Sequence, residues 1–132
     1  LDIDTVSASG GRLGCGTILV IDDSNCIVDI VRNNLDFFRG ESCGKCTPCR
    51  EGGQQLYNLV TRISRGLATL PDLEKIDELT ETMRLTALCG LGHSTAVPVQ
   101  TSIQNFRKEY LAHIDRDYCP VCNTGSCGGR HL

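Results

Sequence analysis

Apolar residues beyond Ser24 recur at helical spacing. Ile27, Val31, Leu35 and Phe38 lie four, four and three positions apart and make one stripe, with Ser24 or Asn25 suited to cap it and Gly40 to end it. A second stripe joins Leu56, Leu59, Val60, Ile63 and Leu67, with Gly66 near its end. A third runs through Leu73, Ile76, Leu79 and Met83, and Pro71 fits its first turn. A fourth, Val99, Ile103, Phe106 and Tyr110, follows Pro98. Four amphipathic helices with short connections predict a mainly α protein built as a small four-helix bundle. The stripes are read as core and carry no chemistry.

The flanks differ. Residues 1–14 are polar and punctuated by Gly10, Gly11 and Gly14. Thr17-Ile-Leu-Val-Ile21 is a β-branched run that stops at Asp22-Asp23-Ser24, which predicts one strand and a turn. Gly11, Gly14 and Gly16 precede that run instead of following it, so they do not read as a phosphate loop. After Tyr110, His113, Cys119, Cys122, Cys127, His131 and three glycines crowd together, as a separate Cys/His knuckle or the start of a following domain.

A chain of 132 residues can bury one core and carry a small appendage. It begins with Leu1 and its only Met is Met83, so the sequence reads as an excised piece of a longer polypeptide. Thirteen basic and 16 acidic side chains are spread along it, and a net charge of -3 argues against nucleic acid as a partner. No apolar stretch is long enough for a bilayer and nothing resembles a signal peptide, so a soluble domain is expected.

Cysteine changes the picture. Nine are present, at 15, 26, 43, 46, 49, 89, 119, 122 and 127. An odd count, with no visible secretory segment and with helices able to form a core, argues against a secreted disulfide scaffold. Zinc and iron–sulfur chemistry remain. Cys43, Cys46 and Cys49, each two residues from the next, stand in Glu41-Ser-Cys-Gly-Lys-Cys-Thr-Pro-Cys-Arg50. Zinc sites usually take one close pair from each of two places, whereas a tight triplet lets three thiolates converge on a cubane. Cys89, in Leu88-Cys-Gly-Leu-Gly92, is the candidate fourth ligand, and its glycines allow backbone to approach an inorganic core.

Glu41 to Gly52, together with Cys89-Gly-Leu-Gly92, resembles the C-terminal cluster domain of the flavin-bearing, NADH-oxidising subunit of respiratory complex I. Similar subunits occur in NAD-linked and electron-bifurcating hydrogenases and NAD-dependent formate dehydrogenases. The resemblance extends from about Gly14 to Tyr110 and includes Pro98-Val-Gln100 and Phe106-Arg-Lys-Glu-Tyr110. It implies a helical bundle holding a 4Fe–4S cluster on Cys43, Cys46, Cys49 and Cys89, which accepts single electrons from a flavin reduced by NADH. FMN and NAD(H) would bind in an upstream domain. Residues 1–24 would be the tail of a β-grasp (SLBB-like) domain with its linker, 25–112 the cluster domain, and 113–132 a Cys/His-rich extension. The implied partners are a thioredoxin-like 2Fe–2S subunit and a larger iron–sulfur or catalytic subunit, in the cytoplasm. The terminal acceptor stays open among quinone, protons, ferredoxin and carbon dioxide.

The extension resembles that of hydrogenase- and formate-dehydrogenase-type relatives, some of which bind zinc where it meets the bundle. Cys26, His113, Cys119, Cys122 and Cys127 could supply four zinc ligands, and which of the tail residues bind is open. Lys45 and Arg50 beside the ligand loop would favour the reduced cluster, or simply face solvent. Cys15 reads as a small hydrophobe, His93 as a loop residue near the cluster, and His131 as disordered. No nucleophile–base pair is visible, so hydrolysis and group transfer are unsupported. The competing reading is a zinc-stabilised interaction domain without a redox role, and a purely structural cluster is the third.

Overall fold

The computed structural model describes residues 2–14, 16–115, 119, 121, 122 and 127; the readings of Cys15 and His131 fall outside these. Five helices follow in order: α1 (Ile3–Ala8), α2 (Ile27–Gly40), α3 (Thr47–Ser64), α4 (Leu70–Thr86) and α5 (Gly90–Asp115). The last four make the expected bundle. α2 packs on α3, α3 on α4, α4 on α5 and α5 on α2, while α3 and α5 also touch across the middle.

Each helix contributes one buried row. Val28, Val31 and Leu35 meet Leu56, Val60 and Ile63, which meet Leu73, Ile76 and Met83, with Val99, Ile103 and Tyr110 closing the core. Burial of such side chains is worth roughly 1.5–3 kcal/mol each against exposure, and this apolar contact is what holds the bundle. The first stripe holds at Val31 and Leu35, both buried, but at its start Val28 is sealed and Ile27 only partly buried, and Cys26 rather than Ser24 or Asn25 is the N-cap.

Three further expectations are corrected. No strand forms over 17–21 among the described residues; Ile18, Leu19 and Val20 are exposed. A lone run of β-branched residues has no ladder to join, and here it finds none. α3 ends at Ser64 before reaching Leu67, whose amide reaches back to Arg62 O at 2.9 Å and leaves the side chain in solvent. The last helix starts well before Pro98, with Pro98 inside it, and breaks at Phe106 (φ -125°, ψ 30°), which turns that ring toward solvent. The short α1 was not anticipated; Asp2 caps it through Thr5 N–H at 2.8 Å, and it buries no residue. Among the described residues no helix is long and apolar enough to cross a membrane.

α4 begins with a reciprocal cap. The Thr69 N–H and hydroxyl donate to the Asp72 carboxylate at 2.9 and 3.1 Å, and Arg62 and Lys75 approach it at 3.4 Å. The Thr69 amide, foremost, holds this buried carboxyl below the usual range. Asp72→Ala should cost about 1 kcal/mol in a thermal or denaturant melt. Because the folded-state pKa is lowered, the Asp72 contribution is complete above the ordinary carboxylate pKa of about 4 and is lost as pH falls through the folded value. The pH difference between wild-type and variant melts should close in acid.

The second packing constraint is at the α5 start. A Cβ on Gly92 would stand 2.6 Å from Ala87 Cβ and 3.3 Å from Cys49 Cβ. Both neighbours are held on backbone, so the helices would have to separate. Gly92→Ala should therefore destabilise by about 1–3 kcal/mol in the same melts. Gly90→Ala, where a Cβ meets nothing within 4 Å, should cost far less.

Candidate metal centres

Two sets of cysteines stand at the two ends of the bundle, and among the described residues only the set at the far end has its ligand atoms within 4.8 Å of one another. At one end the chain leaves α2, makes a turn and enters α3. Gly44 takes φ 73°, a left-handed conformation that suits glycine, and lets the loop double back. Arg50 pins that turn by donating from Nη1 to Gly44 O at 2.6 Å while pairing with Glu51 at 2.8 Å. The Arg50 guanidinium thus acts first as a loop clamp, which adds to the charge role expected of it. Cys43 stands exposed on the loop, Cys46 is the α3 N-cap, and Cys49 is buried in the first turn.

Cys89 comes to the same end. It lies exposed in the short link from α4 to α5, and its carbonyl receives the His93 N–H at 3.2 Å. The Leu88 amide donates to the Cys46 sulfur, and this bond, followed by that from the Cys49 amide, lowers the Cys46 thiol pKa. Gly92 sits against Cys49. The N-termini of α3 and α5 therefore meet here, and their unpaired amides and positive dipole ends favour anionic sulfur. Four thiols, one eased toward thiolate, beside a glycine that keeps the approach open, fit an anionic iron–sulfur cubane. His93, expected in a loop, lies in α5 and hydrogen-bonds through Nδ1 to Arg84 O at 2.7 Å.

At the far end Cys26, His113, Cys119 and Cys127 are all buried, and their ligand atoms lie within 4.8 Å of one another. Cys26 comes from the α2 start, and His113, the first residue of the expected extension, lies in the last turn of α5. The tail is seated on α3 as well, through Cys127 N–H to Ser64 O at 2.8 Å. His113 Nδ1 lies 2.8 Å from Glu109 O, and donation there leaves the Nε2 lone pair toward Cys127 and Cys26, at 3.5 and 3.6 Å. Imidazole metal ligands are commonly fixed by a carbonyl in this manner.

The thiols of this group differ in their electrostatics. Burial pushes the Cys26 thiol up to about 12 and raises the Cys127 thiol as well. Burial also opposes ionisation of Cys119, yet hydrogen bonds from Cys127 and from the Cys122 and Val121 amides carry its pKa below the ordinary value. A divalent ion bound here would favour the deprotonated thiols. Of the five candidates, Cys122 stands just outside the close set. Its sulfur lies 3.2 Å from Cys127 Sγ and its amide donates to Cys119 Sγ at 3.3 Å.

Sequence reasoning missed Ser42, whose Oγ lies 3.3 Å from Cys49 Sγ, and the Leu88 amide. The adjacency of Ser42 to Cys43 was visible, but its reach to Cys49 depends on the Gly44 turn. A backbone donor carries no residue-type signal at all.

Comparison with known proteins gives the chain's relatives. The chain is 39% identical over 121 residues to the NADP-reducing hydrogenase subunit HndC of Solidesulfovibrio fructosivorans, covering 92% of this chain and 25% of that protein. It is 39% identical over 120 residues to an NADH-quinone oxidoreductase subunit of Mycobacterium tuberculosis (strain ATCC 25618 / H37Rv), covering 91% of this chain and 27% of that protein. The chain thus spans about a quarter of the length of these relatives. A crystal structure of an NAD+-reducing NiFe hydrogenase in the H2-reduced state superimposes with a TM-score of 0.72 at 41% identity, over 75% of this chain and 17% of that one. The family described as "NADH-ubiquinone oxidoreductase-F iron-sulfur binding region" matches residues 29–113, a description that disfavours the zinc-only alternative. With more than half of its residues in that match, the chain belongs to this iron–sulfur binding family.

Proposed function

We propose that the chain is the electron-transfer module of an NADH-linked oxidoreductase and that Cys43, Cys46, Cys49 and Cys89 hold one 4Fe–4S cluster. The observation that carries the reading is the meeting of the Cys43–Cys49 loop with the Leu88–Gly92 turn, through the Leu88 amide on Cys46 and the packing of Gly92 on Cys49. When bound, the cluster supplies reversible one-electron uptake. The protein's share is placement and tuning. The Leu88 and Cys49 amides ease ionisation of Cys46, Arg50 fixes the loop, and the open α-carbon of Gly92 sets the approach of the two helix ends. Cys49 faces the core while Cys43 and Cys89 face solvent, so electrons leave on the exposed side.

In this reading FMN and NAD(H) serve an upstream domain of the parent polypeptide. Residues 1–24 are the tail of a β-grasp unit with its linker, 25–112 the cluster domain and 113–132 a Cys/His-rich extension that begins in the last turn of α5. The acceptors are a thioredoxin-like 2Fe–2S subunit and a larger iron–sulfur or catalytic subunit, in the cytoplasm, where thiols stay reduced. Cys26, His113, Cys119 and Cys127 hold a structural zinc ion in a closed Cys₃His site, and Cys122 supports it from outside.

The test is anaerobic purification of the chain with iron, sulfide and zinc counted per molecule, and electron paramagnetic resonance after dithionite reduction. About four iron and four sulfide are expected, with a signal that Cys89→Ser abolishes or alters. Zinc without sulfide, even after attempted reconstitution, would refute the electron-carrier role. The second centre separates cleanly from the first. His113→Ala and Cys127→Ser should each lose the zinc and lower the melting temperature while retaining the iron. Retention of zinc by both variants would remove this site from the proposal.

A further inference from the structure

We infer that Ser42 is a positioning residue for electron transfer: its hydroxyl donates to the Cys49 sulfur and makes the cluster easier to reduce. The inference rests on Cys49 being a cluster ligand. Ser42 Oγ and Cys49 Sγ are 3.3 Å apart, and taken alone either could donate. Two facts fix the direction. Gly44 N–H donates to the same Ser42 oxygen at 3.3 Å, which leaves the hydroxyl proton to be given elsewhere. A cysteine bound to iron has no proton to offer, so the proton between them is the serine's.

The setting makes this bond matter. Cys49 is the buried member of the four cysteines, and Ser42 is itself half-buried, so the bond acts where water screens little. Cys46 receives backbone amides, which ordinary side-chain substitutions leave in place, whereas Cys49 receives a side-chain donor. Reduction adds one electron, delivered in the parent enzyme by a reduced flavin and in the test by dithionite. It breaks no iron–sulfur bond and leaves the proton on Ser42 Oγ. The sulfur gains negative charge in that step, so a donor to it favours the reduced form.

The experiment compares the full chain with Ser42→Ala and Ser42→Thr, each purified anaerobically. Iron and sulfide are counted, the signal is titrated against potential, and exchangeable protons near the cluster are read by electron–nuclear double resonance in deuterated buffer. Ser42→Ala should keep its iron while the equilibrium constant for one-electron reduction falls roughly three- to tenfold. That is a drop of about 30–60 mV at 59 mV per tenfold. One exchangeable proton coupling should vanish with it, and Ser42→Thr should restore both. An unchanged potential in Ser42→Ala with the cluster intact would overturn the inference. Loss of iron from Ser42→Ala would also overturn it, since the serine would then hold the loop and not tune the cluster. A wild-type chain that binds no cluster would overturn the electron-carrier reading itself, and this one with it.

Discussion

The close approach of the α5 N-terminus to the first turn of α3 is the contact on which the rest depends. Gly92 lies where a side chain would strike Ala87 and press on Cys49, so its bare α-carbon is what lets the α5 start sit against α3. That nearness lets the Leu88 amide reach Cys46 and brings Cys89 to the loop that carries the other three cysteines. Without it, the triplet and the lone cysteine would be two separate features of one bundle. With it, the N-terminal turns of α3 and α5 come together, and their dipole ends would favour an anionic group held between them. Arg50, the obvious cation, is spent largely on Gly44 O and Glu51.

The same helices carry a second group of donors at their other ends. α2 supplies Cys26, α5 supplies His113, and α3 receives the tail through Ser64 O. The apolar rows between these ends belong to neither centre; they hold the spacing that both require. A bundle in which α3 and α5 touch across the middle suits this purpose, since each centre is braced by the same pair of rods.

Much of this was legible in the residues. Helical periodicity revealed four elements because a buried stripe repeats within a single helix and needs no knowledge of its partner. The Cys43–Cys49 run and Cys89 stood out because the chemistry of a cubane constrains spacing directly. What was not legible depends on contacts made elsewhere. A strand over 17–21 requires a neighbour that no local pattern can supply. Spacing alone did not say that Val28 would be sealed and Ile27 half-buried, since both lie at a helical interval from Val31. Phe106 fitted its stripe until the helix broke at that residue. Likewise, spacing could not say that Cys119 and Cys127 would enter the close set and Cys122 stand beside it, for these thiols share one short segment.

The far-end group has a topological meaning. Cys26 and Cys127 stand near the two ends of the helical region, so an ion that both ligate ties the chain into one large ring. The entropy of closing a ring grows only slowly with its length, but a large ring removes many conformations from the unfolded chain. Such an ion would stabilise the bundle largely by making its alternative poorer, as a cross-link does, without adding one contact to the apolar core.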